Sequence, residues 1–265
     1  MPAITARYRR KRRTALCPIQ ADFPFMVTVS IIIPAFNEAE TIVPLLTAVR
    51  ARRVENVQFE IVVIDDGSKD GTRDLIKQNP ALYDKLVEHD KNQGKGAAVR
   101  SGLTCATGEW VLFQDADLEY DPVEYENLVD PVLRFDADVV IGSRFLSPRM
   151  TRVAYFWHKL GNLLITFTFN LLNNVTFTDI YSCYLMYRRT LVDPGELKTN
   201  GWEQQAEILS KVVSRSTRFY EVSISYHGRT YAEGKKIRAH HAAAVLWTII
   251  KCRFFRQAKL TGAPA

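Results

Sequence analysis

Two aspartates separated by one residue, Asp115 and Asp117, follow the apolar run Glu109–Phe113 after Gln114. In extended chain, positions i and i+2 point to the same side, so both carboxylates can face one point. Hard oxygen donors so arranged suit Mg²⁺ or Mn²⁺, which keep several waters and bind through one or two carboxylates plus substrate phosphates. Glu119 stands where it can add a third donor. Taken alone, the triplet also reads as a helix N-cap or a surface turn leading to Asp121-Pro122. Two further apolar runs end in carboxylates: Val27–Phe36 leads into Asn37-Glu38, and Phe59–Ile64 into Asp65-Asp66-Gly67-Ser68. Three such exits in series favour the metal reading of the triplet. Glu38 then falls beside a nucleobase or ribose, while Asn37 and Glu40 can form a capping box. Asp65 can accept hydrogen bonds from a uracil or guanine ring; ordinary turn chemistry around Gly67 and Gly71 is the alternative.

Candidate cations accompany these acids. Gly94-Lys95-Gly96 matches neither GxxxxGK[ST] nor GxGxxG, which disfavours an NTPase or a dinucleotide enzyme. It reads as a glycine-opened helix start with Lys95 available to a phosphate. Arg144, in Gly142-Ser143-Arg144, can take phosphate oxygens bidentately or form a surface ion pair. The four cysteines are far apart, with no CxxC and no His–Cys cluster. That argues against a disulfide framework or structural zinc and favours a reducing compartment.

Positioning these groups requires a sheet. The runs Val27–Phe36, Phe59–Ile64, Glu109–Phe113, Asp138–Ile141 and Phe219–Tyr226 are rich in β-branched residues and bounded by turns. Helical patterns interleave at Glu38–Arg52, Asp70–Gln78, Gly94–Cys105 and Pro122–Phe135. Apolar strands alternating with helices predict an α/β fold, its sheet mostly parallel and covered on both faces. Ligands of such sheets bind beyond the carboxyl ends of the strands.

The chain has 265 residues, 47% hydrophobic and 24% charged, enough for a substantial core. Its net charge of +6 is uneven: residues 1–26 carry +5 and 234–265 carry +7, leaving −6 on the body. An acidic body with basic ends argues against nucleic acid as a partner. It fits ends that touch an anionic membrane surface, or are simply solvated. The expected division is a basic tail 1–26, read as disordered, a catalytic body 27–237 and a basic amphipathic helix and tail 238–265. Ala242–Ile250 ends at Lys251, and the stretch after Leu160 is interrupted by Asn and Thr, so neither supplies the roughly 20 apolar residues of a bilayer span. The basic N-terminus lacks a following apolar region and is no secretory signal. The expected location is cytoplasmic, peripheral on the cytoplasmic face of a membrane. Around Lys159, Asn162, Thr166, Asn170 and Asn173 a polar stripe runs down a helix whose remaining face is apolar, which suits either a core helix or an interfacial one.

The ordered segments PAFNEAETI, VVIDDGSKDGT, NQGKGAAVRSG, DADLEY, GSRF and GRTYAEGKKI resemble family 2 glycosyltransferases of the GT-A fold, nearest the dolichol- and polyprenol-phosphate sugar synthases. The resemblance spans residues 27–237. It implies that Pro34, Phe36, Glu38, Val63 and Asp65 bind base and ribose, with Lys95 and Asp115 on the nucleotide. It places Asp115, Asp117 and Glu119 around the divalent metal. Arg144, Arg229, Lys235 and Lys236 meet donor or acceptor phosphates, and Asp179 is an acidic residue on the acceptor side. Asp117, Arg144 and Asp179 form the catalytic set. Phe36 stands where the family often has tyrosine. Trp157-His158-Lys159-Leu160-Gly161-Asn162 stands where the synthases carry an arginine-led motif, leaving His158 and Lys159 to supply positive charge.

The implied activity is inverting transfer of a hexose from GDP-mannose or UDP-glucose to a polyprenyl or dolichyl phosphate, with a membrane-anchoring subunit as a possible partner. A hydroxyl acceptor would require a base such as Asp179. No QxxRW motif marks a processive polysaccharide synthase. A non-catalytic nucleotide-sugar or membrane-binding protein is the remaining alternative.

Overall fold

A computed structural model of the protein describes residues 26–146, 156–229 and 241–255. Seven strands form one sheet in the order β3-β2-β1-β4-β6-β5-β7. They are β1 (Val27–Ala35), β2 (Val57–Asp65), β3 (Lys85–Glu88), β4 (Trp110–Phe113), β5 (Val139–Ser143), β6 (Leu185–Arg188) and β7 (Phe219–Ser223). The helices are α1 (Ile42–Ala51), α2 (Thr72–Gln78), α3 (Lys95–Cys105), α4 (Tyr125–Phe135), α5 (Phe156–Asn173), α6 (Gln204–Val213) and α7 (His241–Phe254). β6 runs antiparallel to both β4 and β5, and every other pairing is parallel. The mostly parallel α/β sheet predicted from the alternating pattern is thus the one formed.

Val29, Ile31, Ile32 and Ile33 of β1 and Ile61, Val62, Val63 and Ile64 of β2 are buried, as strands covered on both faces must be. Each such side chain contributes roughly 2 kcal/mol of apolar burial. α3 lies close against this layer at Gly102, where an added Cβ would come within 2.6 Å of Ile64 Cδ1 and 2.7 Å of Ile32 Cγ2.

The register aligns the strand exits. Ala35 pairs with Asp65, Asp65 with Glu88, and Ile32 with Phe113, so the carboxyl ends of β1, β2 and β4 open on one edge. The capping box expected at Asn37 and Glu40 is not made. α1 begins after Thr41 without a side-chain cap, and Asn37 sits at φ 52°. Its N–H donates to Ser68 Oγ (3.0 Å) and its Oδ1 accepts from Lys69 N (2.9 Å). Glu38 N likewise donates to Thr72 Oγ1 at 2.9 Å. Those groups cross-link the two strand exits instead of starting a helix.

Candidate active site

The exits of β1, β2 and β4 surround a cavity of about 260 Å³ at the sheet edge. Pro34, Phe36 and Glu38 form one wall, with Asp66, Asn92, Gly94 and Lys95 beside them. Asp115, Asp117 and Glu119 form another, and Trp202, Tyr226 and Arg229 close it from later in the chain.

Buried polar pairs shape each wall. Asp66 accepts the N–H groups of Gln93 and Gly94, both at 2.9 Å, and contacts His89 Nδ1 at 2.6 Å. His89 Nε2 reaches Ser101 Oγ at 2.9 Å, fixing the 89–94 loop to α3. Gly94 adopts φ +96° against Asn200 O, a position only glycine holds without strain. The triplet loop hangs on Gln114, fully buried, whose Oε1 accepts from the hydroxyls of Tyr125 and Tyr184, both at 2.8 Å.

The charges interlock. Lys95 Nζ lies 2.5 Å from Asp115 Oδ1 and 5.1 Å from the Trp202 ring centre. Burial opposes its charge, but Asp115 more than offsets this and raises the Lys95 pKa. Arg229 pairs with Glu38 Oε2 (3.0 Å) and donates to the carbonyl of Asp117 (2.7 Å). Glu119 accepts from Tyr226 Oη (2.7 Å) and Arg229 N (2.6 Å). Burial, then the charges of Asp115 and Glu119, push the Asp117 carboxyl up to about 7 despite Arg229.

A second cavity of about 210 Å³ adjoins the first and shares Lys95, Asp115, Glu119, Trp202 and Tyr226 with it. Arg144 supplies positive charge to its wall, which His158 also lines, and α5, α6 and α7 enclose it through Trp157, Asn162, Gln204 and Val245. Arg144 is held bidentately by Asp179, at 2.7 and 2.9 Å, and lies 5.0 Å from the Tyr226 ring centre.

Several expected residues fall elsewhere. Val63 and Asp65 are wholly buried and line neither cavity. Asp65 Oδ2 is bonded to Arg73 Nε at 2.7 Å, and its neighbour Asp66 faces the cavity instead. Asp179 is also wholly buried and fully engaged by Arg144, which removes it as a free base. Lys159 lines neither cavity; its ammonium lies 5.8 Å from the Phe145 ring centre. Lys235 and Lys236 lie outside the described residues. The three-carboxylate set does not assemble: among the described residues no three His, Cys, Asp or Glu side chains gather to hold a metal ion. Glu119 is bonded to Tyr226 and Arg229, as Asp115 is to Lys95; Asp115 and Asp117 are the pair that stands at the exit of β4. The carboxylates of Asp115 and Asp117, hard oxygen donors on one wall of the cavity, are the donor chemistry that fits a divalent cation shared with phosphate oxygens. Sequence reasoning missed Asp66, Trp202, Gln204 and Tyr226 as wall residues; Asp66 lay in a marked turn and Tyr226 at the end of a predicted strand, while Trp202 and Gln204 lay in no marked segment.

The family model for glycosyl transferase family 2 matches residues 30–194. An uncharacterised protein of Methanocaldococcus jannaschii is 26% identical over 93% of this chain and 98% of its own length. The dodecaprenyl-phosphate galacturonate synthase of Rhizobium johnstonii is 26% identical over 78% of this chain and 61% of its own length. The undecaprenyl-phosphate 4-deoxy-4-formamido-L-arabinose transferase of Aeromonas hydrophila subsp. hydrophila is 30% identical, over 84% and 67%. Among solved structures, glucosyl-3-phosphoglycerate synthase from Mycobacterium tuberculosis, crystallised with Mn²⁺, UDP and glucosyl-3-phosphoglycerate, superposes with a TM-score of 0.64. It is 20% identical, covering 86% of this chain and 80% of that one, a likeness that shows the GT-A fold.

Proposed function

Because the chain belongs to glycosyl transferase family 2 and is a glycosyltransferase, we propose that it moves a hexose from GDP-mannose or UDP-glucose to a polyprenyl or dolichyl phosphate. The observation carrying this reading is the pair of joined cavities. One is acidic at the sheet edge, and the other holds Arg144 beside helices with exposed apolar faces. Two relatives are named for sugar transfer involving dodecaprenyl or undecaprenyl phosphate, which supports a lipid-phosphate acceptor.

The first cavity takes the nucleotide, with base and ribose against Pro34, Phe36 and Glu38, and the diphosphate near Lys95 and Arg229. Asp115 and Asp117 are the residues that would hold Mg²⁺ or Mn²⁺. When bound, such an ion neutralises charge on a leaving diphosphate. The acceptor phosphate sits near Arg144 and His158 and attacks the anomeric carbon from the side opposite the nucleotide. The bond from that carbon to the diphosphate oxygen breaks, and the configuration inverts. Lys95 and Arg229 stabilise the departing charge. A phosphate monoester has a second pKa of about 6 and is already ionised near neutrality, so no base is needed. This agrees with the engagement of Asp179 by Arg144 and disfavours a hydroxyl acceptor.

Labelled UDP-glucose and GDP-mannose, each supplied with polyprenyl phosphate and Mg²⁺ or Mn²⁺, test the proposal. Label should pass into the organic phase from one donor, and an Asp117→Asn variant should lose at least about a hundredfold in rate. Absence of extractable label with either donor, alongside transfer to a hydroxyl-bearing acceptor, would overturn it.

A further inference from the structure

Gln204 and Gln205 open α6 side by side, 4% and 6% exposed. The Gln205 amide nitrogen donates to the carbonyl oxygens of Ile180 (3.2 Å) and Ser182. Gln204 is placed differently. It forms part of the second cavity's wall, and its buried Oε1 has no hydrogen-bond partner among the described residues. Buried side-chain oxygens are rarely left so, because desolvation is costly when nothing replaces the lost water.

The position of Gln204 narrows what can complete it. It lines only the second cavity, beyond Lys95, Asp115 and Trp202, which line both. A diphosphate held in the first cavity directs its sugar across that shared wall. The acceptor phosphate has Arg144 and His158 to meet it in the same cavity, and an anion gains nothing from a carbonyl oxygen. A neutral sugar hydroxyl, by contrast, can donate to Oε1 and accept from the amide nitrogen.

We infer that Gln204 is a specificity-determining residue that reads one ring hydroxyl of the hexose being transferred. The inference rests on the proposed function and deepens it by naming the group that distinguishes one sugar from another.

The test pairs substitutions with substrate analogues. UDP-glucose, GDP-mannose and their singly deoxygenated forms are assayed for transfer to polyprenyl phosphate by wild type, Gln204→Leu and Gln204→Glu. Wild type should lose about tenfold or more in kcat/KM when the hydroxyl that is read is removed. Gln204→Leu should be slow with the intact donor yet indifferent to loss of that one hydroxyl, while remaining sensitive to the others. Gln204→Glu keeps the size of the side chain and supplies the same comparison if leucine impairs folding. Binding of UDP or GDP alone should be unchanged in both variants. Independent, multiplicative losses at every hydroxyl would overturn the inference, as would a change confined to the KM for polyprenyl phosphate. A wild-type protein inactive with both intact donors would instead overturn the underlying function.

Discussion

Asp179 and Arg144 show how a residue's surroundings decide its chemistry. A carboxylate near an acceptor invites assignment as a base, yet Asp179 is wholly buried with both oxygens on the Arg144 guanidinium. Its backbone N–H and that of Thr178 in turn meet Glu221. Removing one member of such a pair leaves the other buried and uncompensated. Asp179→Ala is therefore expected to cost about 3 kcal/mol of stability, read as a fall in the urea midpoint. A base role alone would leave that midpoint unmoved and cut kcat only. The paired aspartates, Glu38 and Lys95 were legible because each lies at a strand exit or helix start that the local pattern marks. Asp65 and Asp66 were not separable, since adjacent residues point to opposite sides and the sequence does not say which faces in. Trp202, Gln204 and Tyr226 reach the site from far along the chain, and no spacing rule ties them to Asp115.

Among elements, the joint between β1, β2 and β3 turns on one side chain. Glu60, projecting from β2, accepts from Ser30 Oγ on β1 (2.5 Å) and from Thr107 N and Oγ1 (2.9 and 2.7 Å). Lys85 of β3 pairs with it at 2.6 Å. Partial burial alone would raise its pKa, but Lys85, Ser30 and Thr107 together bring it from 4.5 down to about 2. A carboxyl so lowered stabilises the fold above its unfolded pKa and loses that contribution as pH falls through the folded value. Allowing for solvent screening of this partly exposed group, wild type should exceed Glu60→Gln by roughly 1–2 kcal/mol at neutral pH. The gap should shrink below about 4.5 and vanish near 2 in urea titrations across pH; a constant gap would contradict it. A second joint lies where α3 meets the 199–201 segment leading to Trp202. A Cβ on Gly96 would come within 2.7 Å of Thr199 O and 2.8 Å of Asn200 C. Gly96→Ala should lower transfer more than it lowers the melting temperature, because the displaced segment carries a wall of both cavities. The β-branched strands β1 and β2 announced themselves by composition. β3 did not, because KLVE is half charged. α6 did not either: Gln204, Gln205, Glu207 and Ser210 are buried on it, so its inward face reads as polar.

Over the whole molecule, α5 differs from an ordinary surface helix in being apolar on its outer face as well. Ile165, Thr166 and Phe169 are buried, Asn162 lines the second cavity, and Asn170 bonds the backbone of Phe177. Phe156, Trp157, Leu160, Leu163, Leu164, Phe167 and Leu171 face outward, between 44% and 75% exposed. α7 packs against α5 and adds exposed Trp247 and Phe254, with Lys251 and Arg253 in its last turn. No helix among the described residues is long and apolar enough to cross a membrane. An apolar face of this breadth, bordering a cavity that would take a lipid phosphate, fits a bilayer surface, and the +5 and +7 ends favour an anionic one. Burial of each large side chain in the interfacial layer is worth roughly 2 kcal/mol, and each basic residue near the surface about 1 kcal/mol. The protein should therefore sediment with vesicles containing phosphatidylserine and more weakly with neutral ones, and added salt should reduce only the difference between them. Replacing Leu163, Leu164 and Phe167 with glutamate should weaken binding to both kinds by more than about a hundredfold. Transfer to a short, water-soluble polyprenyl phosphate should survive that change, because none of the three lines either cavity. Undiminished sedimentation of the triple variant would mean that the helix face meets something other than lipid.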